Sequence, residues 1–166
     1  GQGAERAQPQ APAKQNVTLL DASMHSPGLQ RIFATELGRG LANILAQQVQ
    51  VADATRYFLR NRLRLITAGV RGVDDLNWSE FPFLLNELKR DNRFVFIDLP
   101  PVLQHPETAH LHRFLDGIVM VVKADDRRKQ VISEAARSIH RSGGRILGTV
   151  LTNRKHLVPS WLYERL

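Results

Sequence analysis

The stretch Phe94-Val-Phe-Ile-Asp-Leu-Pro-Pro101 is the strongest indicator of the fold, because four bulky apolar residues lead straight into an aspartate and two prolines. An uninterrupted apolar run that stops at proline predicts a strand buried on both faces, as in a parallel sheet. Asp98 is then expected at the carboxyl end of this strand, where open α/β folds collect their ligands. An acid there suits a metal ion or a water beside a phosphate, and it equally suits a cap on the turn before Pro100.

Further strands and helices alternate around this stretch. Amphipathic spacing predicts a helix from Trp78 to Lys89 and another from Arg127 to Ser142, the second with Val131 and Ile139 facing inward and closed by Gly143-Gly144. A shorter helix starts near Pro27 and is broken at residues 38 to 40. This rhythm predicts an α/β fold, a doubly wound and mainly parallel sheet with helices on both faces. The other predicted strands are Val17–Leu20, Leu63–Ile66, Ile118–Val122 and Arg145–Leu151.

Composition limits the class of protein. The 166 residues contain no cysteine and carry a formal charge of +7, but the basic residues are scattered among acidic ones. We therefore expect the positive charge to favour association with anionic partners in general, without a specific nucleic-acid site. Residues 1 to 15, rich in Gln, Pro and Ala, are expected to form a flexible arm or a tag remnant, and residues 16 to 166 a single domain. No apolar run is long enough to cross a bilayer, so we expect a cytoplasmic protein.

The order of segments resembles the bacterial tyrosine autokinases of capsule and exopolysaccharide systems, within the MinD- and ParA-like P-loop ATPases. The most specific match is Asp98-Leu-Pro-Pro101 followed by Val102-Leu103, and Asp116-Gly117 matches the Asp-Gly before the family's next strand. The resemblance implies a P-loop NTPase-like fold. It extends over almost everything from residue 16 to about 155, through 17–29, 40–45, 65–69, 94–103, 115–122 and 147–151.

The departures from the family pattern lie at its catalytic positions. The chain has no Gly-x-x-x-x-Gly-Lys-Ser/Thr loop, and the faint likeness of Gly1-Gln-Gly3 to the end of one would put Glu5 among the phosphates. Where the resemblance implies Asp-x-Asp-x-Arg, the chain has Asp21, Ser23 and His25. Asp21 and Asp98 are then relic acids and weak candidates for cofactor binding. Asn153, one position beyond the place of the family's adenine-side asparagine, is a third candidate, with a loop cap as the alternative.

Two further features of the sequence are a group of histidines and an amphipathic carboxyl-terminal segment. His105, His110 and His112 lie near Glu107, but their spacing does not match known zinc helices, so we expect solvated or capping histidines and no metal site. Residues 158 to 166, with Trp161 and Leu166, are expected to pack on the domain, with a partner or membrane-surface contact as the alternative.

Two functions remain open from the residues and the resemblance. The first is a non-catalytic, pseudokinase-like adaptor or regulator of an exopolysaccharide complex such as capsule, cellulose-type or biofilm polymer. It needs no cofactor, and its helix faces would dock on the cytoplasmic part of a membrane polysaccharide synthase or export protein, or on a second copy of itself. Such a protein would be cytoplasmic or held at the inner membrane through its partner. The second is an active ATP- and magnesium-dependent tyrosine kinase or ATPase whose phosphate loop lies outside this chain; the substitutions favour the first.

Overall fold

The computed structural model describes residues 16–36, 38–69, 76–124 and 129–153. The expectations for the arm at residues 1 to 15 and for residues 158 to 166 lie outside these ranges. The chain divides into two compact units, with the boundary between Asp98 and Leu99. Among the described residues, no helix is long and apolar enough to cross a membrane.

The first unit contains four strands, β1 Asn16–Asp21, β2 Thr55–Phe58, β3 Leu63–Ile66 and β4 Asn92–Asp98. They form one sheet in the order β2-β3-β1-β4. Strand β1 runs parallel to β3 and to β4, while β2 runs antiparallel to β3. Leu19 lies beside Leu65 on one side and Phe96 on the other, so the three parallel strands are in register across the sheet. Strands β1, β3 and β4 confirm the three strands predicted in this part of the chain.

The longest helix of this unit buries an apolar face. Helix α4 (Phe81–Asp91) follows a 3₁₀ turn at Trp78–Glu80 and begins with Pro82 in its first turn, as predicted, because the missing amide is unpaired there in any helix. Its buried side chains are Phe81, Leu84, Leu85 and Leu88. The short helices are α1 Leu29–Ile32, α2 Leu41–Leu45 and α3 Val51–Ala54.

Strand β2 was not predicted. Thr55-Arg-Tyr-Phe58 has the β-branched and aromatic residues of a strand, but at four residues it is too short to show an alternation of apolar and polar positions. It joins β3 through a turn in which Leu59, Arg60 and Asn61 all take left-handed backbone angles, with φ of 49°, 52° and 68°. No glycine or proline marks this turn, so the usual sequence signal for a hairpin is absent.

The second unit contains a parallel pair of strands, β5 (Ile118–Lys123) and β6 (Ile146–Thr152). Helix α5 (Lys129–Arg141) lies between them in the chain, and a 3₁₀ segment at Pro106–Phe114 precedes them. Gly143 takes a φ of +82° after α5, which confirms the left-handed cap. Ile139 is buried as predicted, but Val131 is 37% exposed, so the inward placement of Val131 was wrong.

The expectation that the Phe94 strand is buried on both faces was also wrong. Strand β4 is at the edge of its sheet, and Phe94 and Phe96 are 51% and 57% exposed. The sequence carries the composition of an interior strand, yet among the described residues β4 has a strand neighbour on one side only.

Candidate functional site

The carboxyl ends of β1 and β4 bring the two predicted acids together. Asp21 and Asp98 are paired in register on adjacent parallel strands. Because side chains at paired positions of parallel strands project from the same face, both carboxylates lie on one face at one end of the sheet. Asp21 is completely buried, whereas Asp98 is exposed.

Asp21 organises the loop that follows its own strand. One carboxylate oxygen accepts a hydrogen bond from the Ser23 amide at 3.0 Å, and the other accepts from the amides of Gly28 at 3.0 Å and Leu29 at 3.1 Å. The last two amides belong to the N-terminus of α1, where helices leave such donors unpaired. Three of the carboxylate's roughly four lone-pair sites therefore accept backbone hydrogen bonds.

Asp98 has a different environment. No hydrogen bond or ion pair to its carboxylate occurs within the described residues. Its pKa is raised from the usual 3.8, first by burial and second by repulsion from Asp21. Asp98 is therefore the acid of the pair whose oxygens remain available to a ligand.

The two residues that replace the acid and arginine of the resemblance lie in the loop after Asp21. Ser23 is buried, and its backbone carbonyl also accepts the Ser26 amide at 3.2 Å. His25 is exposed. Neither brings a negative charge or a guanidinium to this end of the sheet.

The start of helix α2 lies against the residues that follow β3, the third parallel strand of this sheet. The amides of Leu41 and Ala42 donate to the carbonyls of Thr67 at 2.8 Å and Ala68 at 2.9 Å, just beyond β3. A Cβ on Gly40 would lie 2.3 Å from the Thr67 carbonyl oxygen and 2.4 Å from the Gly69 nitrogen. Only glycine lets the start of α2 approach the chain this closely.

Arg56 was missed by sequence reasoning because β2 was missed. Its guanidinium donates to the Thr67 hydroxyl and to the Glu36 carbonyl, both at 3.2 Å. Arg56 thus ties β2 to the segment that leaves β3. No motif surrounds it in the sequence that could have identified this contact.

Asn153, the third candidate, belongs to the second unit and follows β6 directly. It is exposed and has a φ of 56°, in the left-handed region that asparagine tolerates better than most residues. An asparagine at this position is therefore explained by the turn, in agreement with the alternative that Asn153 caps a loop. Its prediction as an adenine contact stays untested.

The histidines of the second unit make separate contacts. The His105 Nδ1 lies 2.9 Å from the Glu107 carboxylate. His112 is 3% exposed, and its Nδ1 lies 2.7 Å from the Ser142 hydroxyl, so the expectation of a solvated or capping residue was wrong for His112. Burial, followed by the nearby His110, lowers the pKa of His112.

Comparison with known proteins identifies relatives for this arrangement. The chain is 26% identical over 144 residues to CapB of Staphylococcus aureus, described as a tyrosine-protein kinase, with 85% of the chain and 63% of CapB covered. It is 23% identical over 147 residues to the tyrosine-protein kinase CpsD of Streptococcus agalactiae, with 86% of the chain and 64% of CpsD covered. The VpsO kinase domain superposes with a TM-score of 0.77 at 25% identity, over 84% of this chain and 71% of that one.

The chain is a homologue of the bacterial tyrosine-protein kinases. The chimeric protein CapA2B2 is a further structural neighbour, with a TM-score of 0.73 and 25% identity over 81% of this chain and 61% of that one. The MinD protein of Pyrococcus horikoshii, at 19% identity, has a TM-score of 0.69 over 92% of this chain and 65% of that one, which supports the fold alone. The predicted P-loop NTPase-like fold with a mainly parallel sheet is confirmed.

The match to these kinases is partial in length. The kinase homologue spans less than two thirds of its curated relatives, 63% of CapB and 64% of CpsD. No protein-family model matches the chain.

Proposed function

We propose that this kinase homologue is a non-catalytic domain that acts as an adaptor or regulator in bacterial exopolysaccharide production. The observation that carries the proposal is the environment of Asp21, whose carboxylate is buried and accepts three backbone hydrogen bonds. An aspartate in this position works as a structural clamp on residues 22 to 29. The polysaccharide context comes from the resemblance to capsule and exopolysaccharide autokinases.

The donor set at this end of the sheet fits a magnesium nucleotide poorly. Mg²⁺ takes oxygen ligands in near-octahedral geometry, usually from one or two carboxylates together with phosphates and waters. Asp98 offers one available carboxylate, while Asp21 has one lone-pair site left and Ser23 replaces an acid with a neutral hydroxyl. Phosphoryl transfer depends on positioning and charge neutralisation, so each of these changes weakens catalysis.

As an adaptor, the domain would bind the cytoplasmic part of a membrane-bound polysaccharide synthase or export protein. Its function would then rest on a surface of the fold, with no nucleotide required. The proposal that the domain is non-catalytic is tested by titrating the 166-residue chain with a fluorescent ATP analogue in the presence of magnesium. We expect no saturable signal, whereas a micromolar dissociation constant would overturn the proposal.

A second candidate function is an ATP-dependent tyrosine kinase that obtains its phosphate loop from polypeptide outside these residues. The observation that favours it is that about a third of the length of each curated relative lies outside the matched region. The two functions separate in an assay of the longest natural gene product with ATP and magnesium. Tyrosine phosphorylation that is lost in Asp98→Asn would establish the kinase, and its absence would favour the adaptor.

A further inference from the structure

The β2–β3 hairpin, residues 55 to 66, concentrates positive charge. It contains four arginines and no acidic residue, whereas the whole chain has 23 lysines and arginines against 16 aspartates and glutamates. Arg56 and Arg64 make polar contacts inside the first unit. Arg60 and Arg62 are exposed, and neither forms an ion pair with any residue that the structure describes. The turn of the hairpin therefore presents two guanidinium groups that no described carboxylate neutralises.

An apolar patch lies beside these arginines. Leu59, in the turn, is 74% exposed, and Ile32, at the end of α1, is 75% exposed. The ring centroids of Phe33 and Phe58, their neighbours in the chain, are 5.3 Å apart, so Ile32 and Leu59 flank a single packed contact. Tyr57, two residues before Leu59, is half exposed. Isolated exposed leucines are ordinary on a protein surface, but three large side chains beside these arginines form an amphipathic surface.

The backbone of the turn holds a leucine in an unfavourable conformation. Leu59, Arg60 and Asn61 have φ of 49°, 52° and 68°, in the left-handed region. Asparagine tolerates this region, whereas leucine and arginine rarely adopt it and lose stability there. Leu59 gains neither burial nor a relaxed backbone, so the stability of the unit does not account for a leucine at this position. A contact of its exposed side chain outside the unit does account for it.

The hairpin turn is remote from the acid pair within the first unit. In the sheet order β2-β3-β1-β4 the hairpin forms one edge and β4 the other. Val17 is paired with Leu63, so the turn lies at the amino ends of β1 and β3, whereas Asp21 and Asp98 lie at the carboxyl ends of their strands. The chain leaves the first unit after Asp98, at the edge opposite to the hairpin. The negative charge of the candidate site is therefore at the other end of the sheet from the arginines of the turn.

Side chains of this composition suit an anionic membrane surface. The stem of an arginine is apolar while its guanidinium stays in the polar headgroup layer, and exposed leucine and isoleucine side chains gain by entering the acyl boundary below that layer. Tyrosine is enriched at the same interface. A turn projects its side chains outward, whereas peptide partners commonly lie in grooves. The shape and the charge of the turn therefore favour a lipid surface over an acidic peptide.

We propose that the β2–β3 turn, residues 57 to 62, is a docking site for a membrane surface rich in anionic lipid. Leu59 and Ile32 enter the boundary of the acyl chains, and Arg60 and Arg62 pair with the phosphate headgroups. Each arginine near such a surface strengthens binding about fivefold, so two arginines and the apolar side chains give weak and reversible attachment. This contact with lipid is direct, so it goes beyond the proposed function and requires neither a protein partner nor a nucleotide.

Sedimentation with lipid vesicles tests this site on the 166-residue chain. We expect saturable binding to vesicles of phosphatidylglycerol and phosphatidylcholine in equal amounts, and at least tenfold weaker binding to vesicles of phosphatidylcholine alone. Raising the salt from about 0.1 M to about 1 M shortens the screening length from about 10 Å to about 3 Å, so binding should weaken at least fivefold. Equal binding to both kinds of vesicle, or binding to neither, would overturn the proposal.

Two double variants locate the contact on the chain. Arg60→Asn combined with Arg62→Gln should weaken vesicle binding at least tenfold, and asparagine keeps the left-handed backbone at residue 60. Arg137→Gln combined with Arg141→Gln, on α5, removes the same charge and should change binding less than twofold. Binding that is unchanged in the hairpin variant, or that falls equally in both variants, would overturn the assignment of the site to the turn.

A fluorescent label reports the insertion of residue 59. Because the chain has no cysteine, Leu59→Cys can be labelled at one position with an environment-sensitive dye. Its emission should shift to shorter wavelength when the anionic vesicles are added, whereas labelled Phe83→Cys, at a similarly exposed position on α4, should keep its emission.

Two results with the same label would identify a different occupant. Emission already shifted before vesicles are added, relative to the label at Phe83→Cys, would mean that protein covers the turn. A shift caused by polyglutamate and not by vesicles would mean that the turn binds an acidic protein. Either result would overturn the proposal, and neither depends on ATP binding, so the proposed function is tested separately.

Discussion

Asp21 combines complete burial with three hydrogen bonds from backbone amides. Removing a buried acceptor leaves its donors unsatisfied, and hydrogen bonds to charged groups are stronger than neutral ones. This makes the residue a support for the loop between β1 and α1. The same residue in a nucleotide site would have to share its oxygens between amides and a metal ion.

Asp21→Ala should therefore lower the free energy of unfolding by about 2 to 5 kcal/mol. Urea denaturation monitored by circular dichroism measures it. The matched control is Asp98→Ala, which removes a carboxylate with no hydrogen bond in the described residues and should change stability by less than about 0.5 kcal/mol. Equal effects of the two substitutions would contradict the structural role of Asp21.

The raised pKa of Asp98 predicts a pH dependence of stability. The folded state holds the Asp98 proton more tightly than the unfolded state, so this residue's contribution to stability falls as pH rises from 3.8 through the raised folded pKa. Nuclear magnetic resonance titration of the Asp98 carboxyl carbon should give a midpoint above 3.8. Asp21→Asn should lower that midpoint only in part, because burial is the larger cause; a midpoint at or below 3.8 in wild type would refute the assignment.

At the scale of elements, α2 is positioned by a close backbone approach. The amides of Leu41 and Ala42 bind carbonyls just beyond β3, and Gly40 lies against Thr67 and Gly69 with no room for a side chain. A methyl group at Gly40 would meet backbone atoms, which cannot rotate away as a side chain can.

Gly40→Ala should cost about 2 to 3 kcal/mol of unfolding free energy through this overpacking. Gly28→Ala is the matched control, because nothing lies within 4 Å of a Cβ at Gly28 and its φ is −112°. Thermal unfolding of the two variants checks the difference. A Gly40→Ala protein as stable as Gly28→Ala would show that α2 is not held in this way.

The elements that sequence predicted well are those whose pattern reflects burial. Strand β3 was predicted at its observed bounds, and α4 was predicted from the spacing of its buried leucines. Strand β2 was missed because four residues cannot show a period, and its turn adopts left-handed angles without a glycine. The exposure of β4 could not be predicted, since composition reports what a strand can bury and not which neighbours are present.

For the whole molecule, the sequence predicted the fold type and the pairing of two acids better than it predicted their roles. The positions of Asp21 and Asp98 follow from two parallel strands ending at one edge. The hydrogen bonds that distinguish them depend on how residues 22 to 29 fold back, which no local pattern encodes. A sequence motif therefore located the two acids, whereas their different hydrogen bonding is visible only in the structure.

If Asp21 serves to hold residues 22 to 29, as we propose, this domain does not bind a magnesium nucleotide. Nuclear magnetic resonance of the isotope-labelled chain tests it most directly, with MgATP added in steps to several millimolar. We expect no saturable chemical-shift change at residues 21–29 and 96–98. A saturable change at both segments with a midpoint in the micromolar range, abolished in Asp98→Asn, would contradict it.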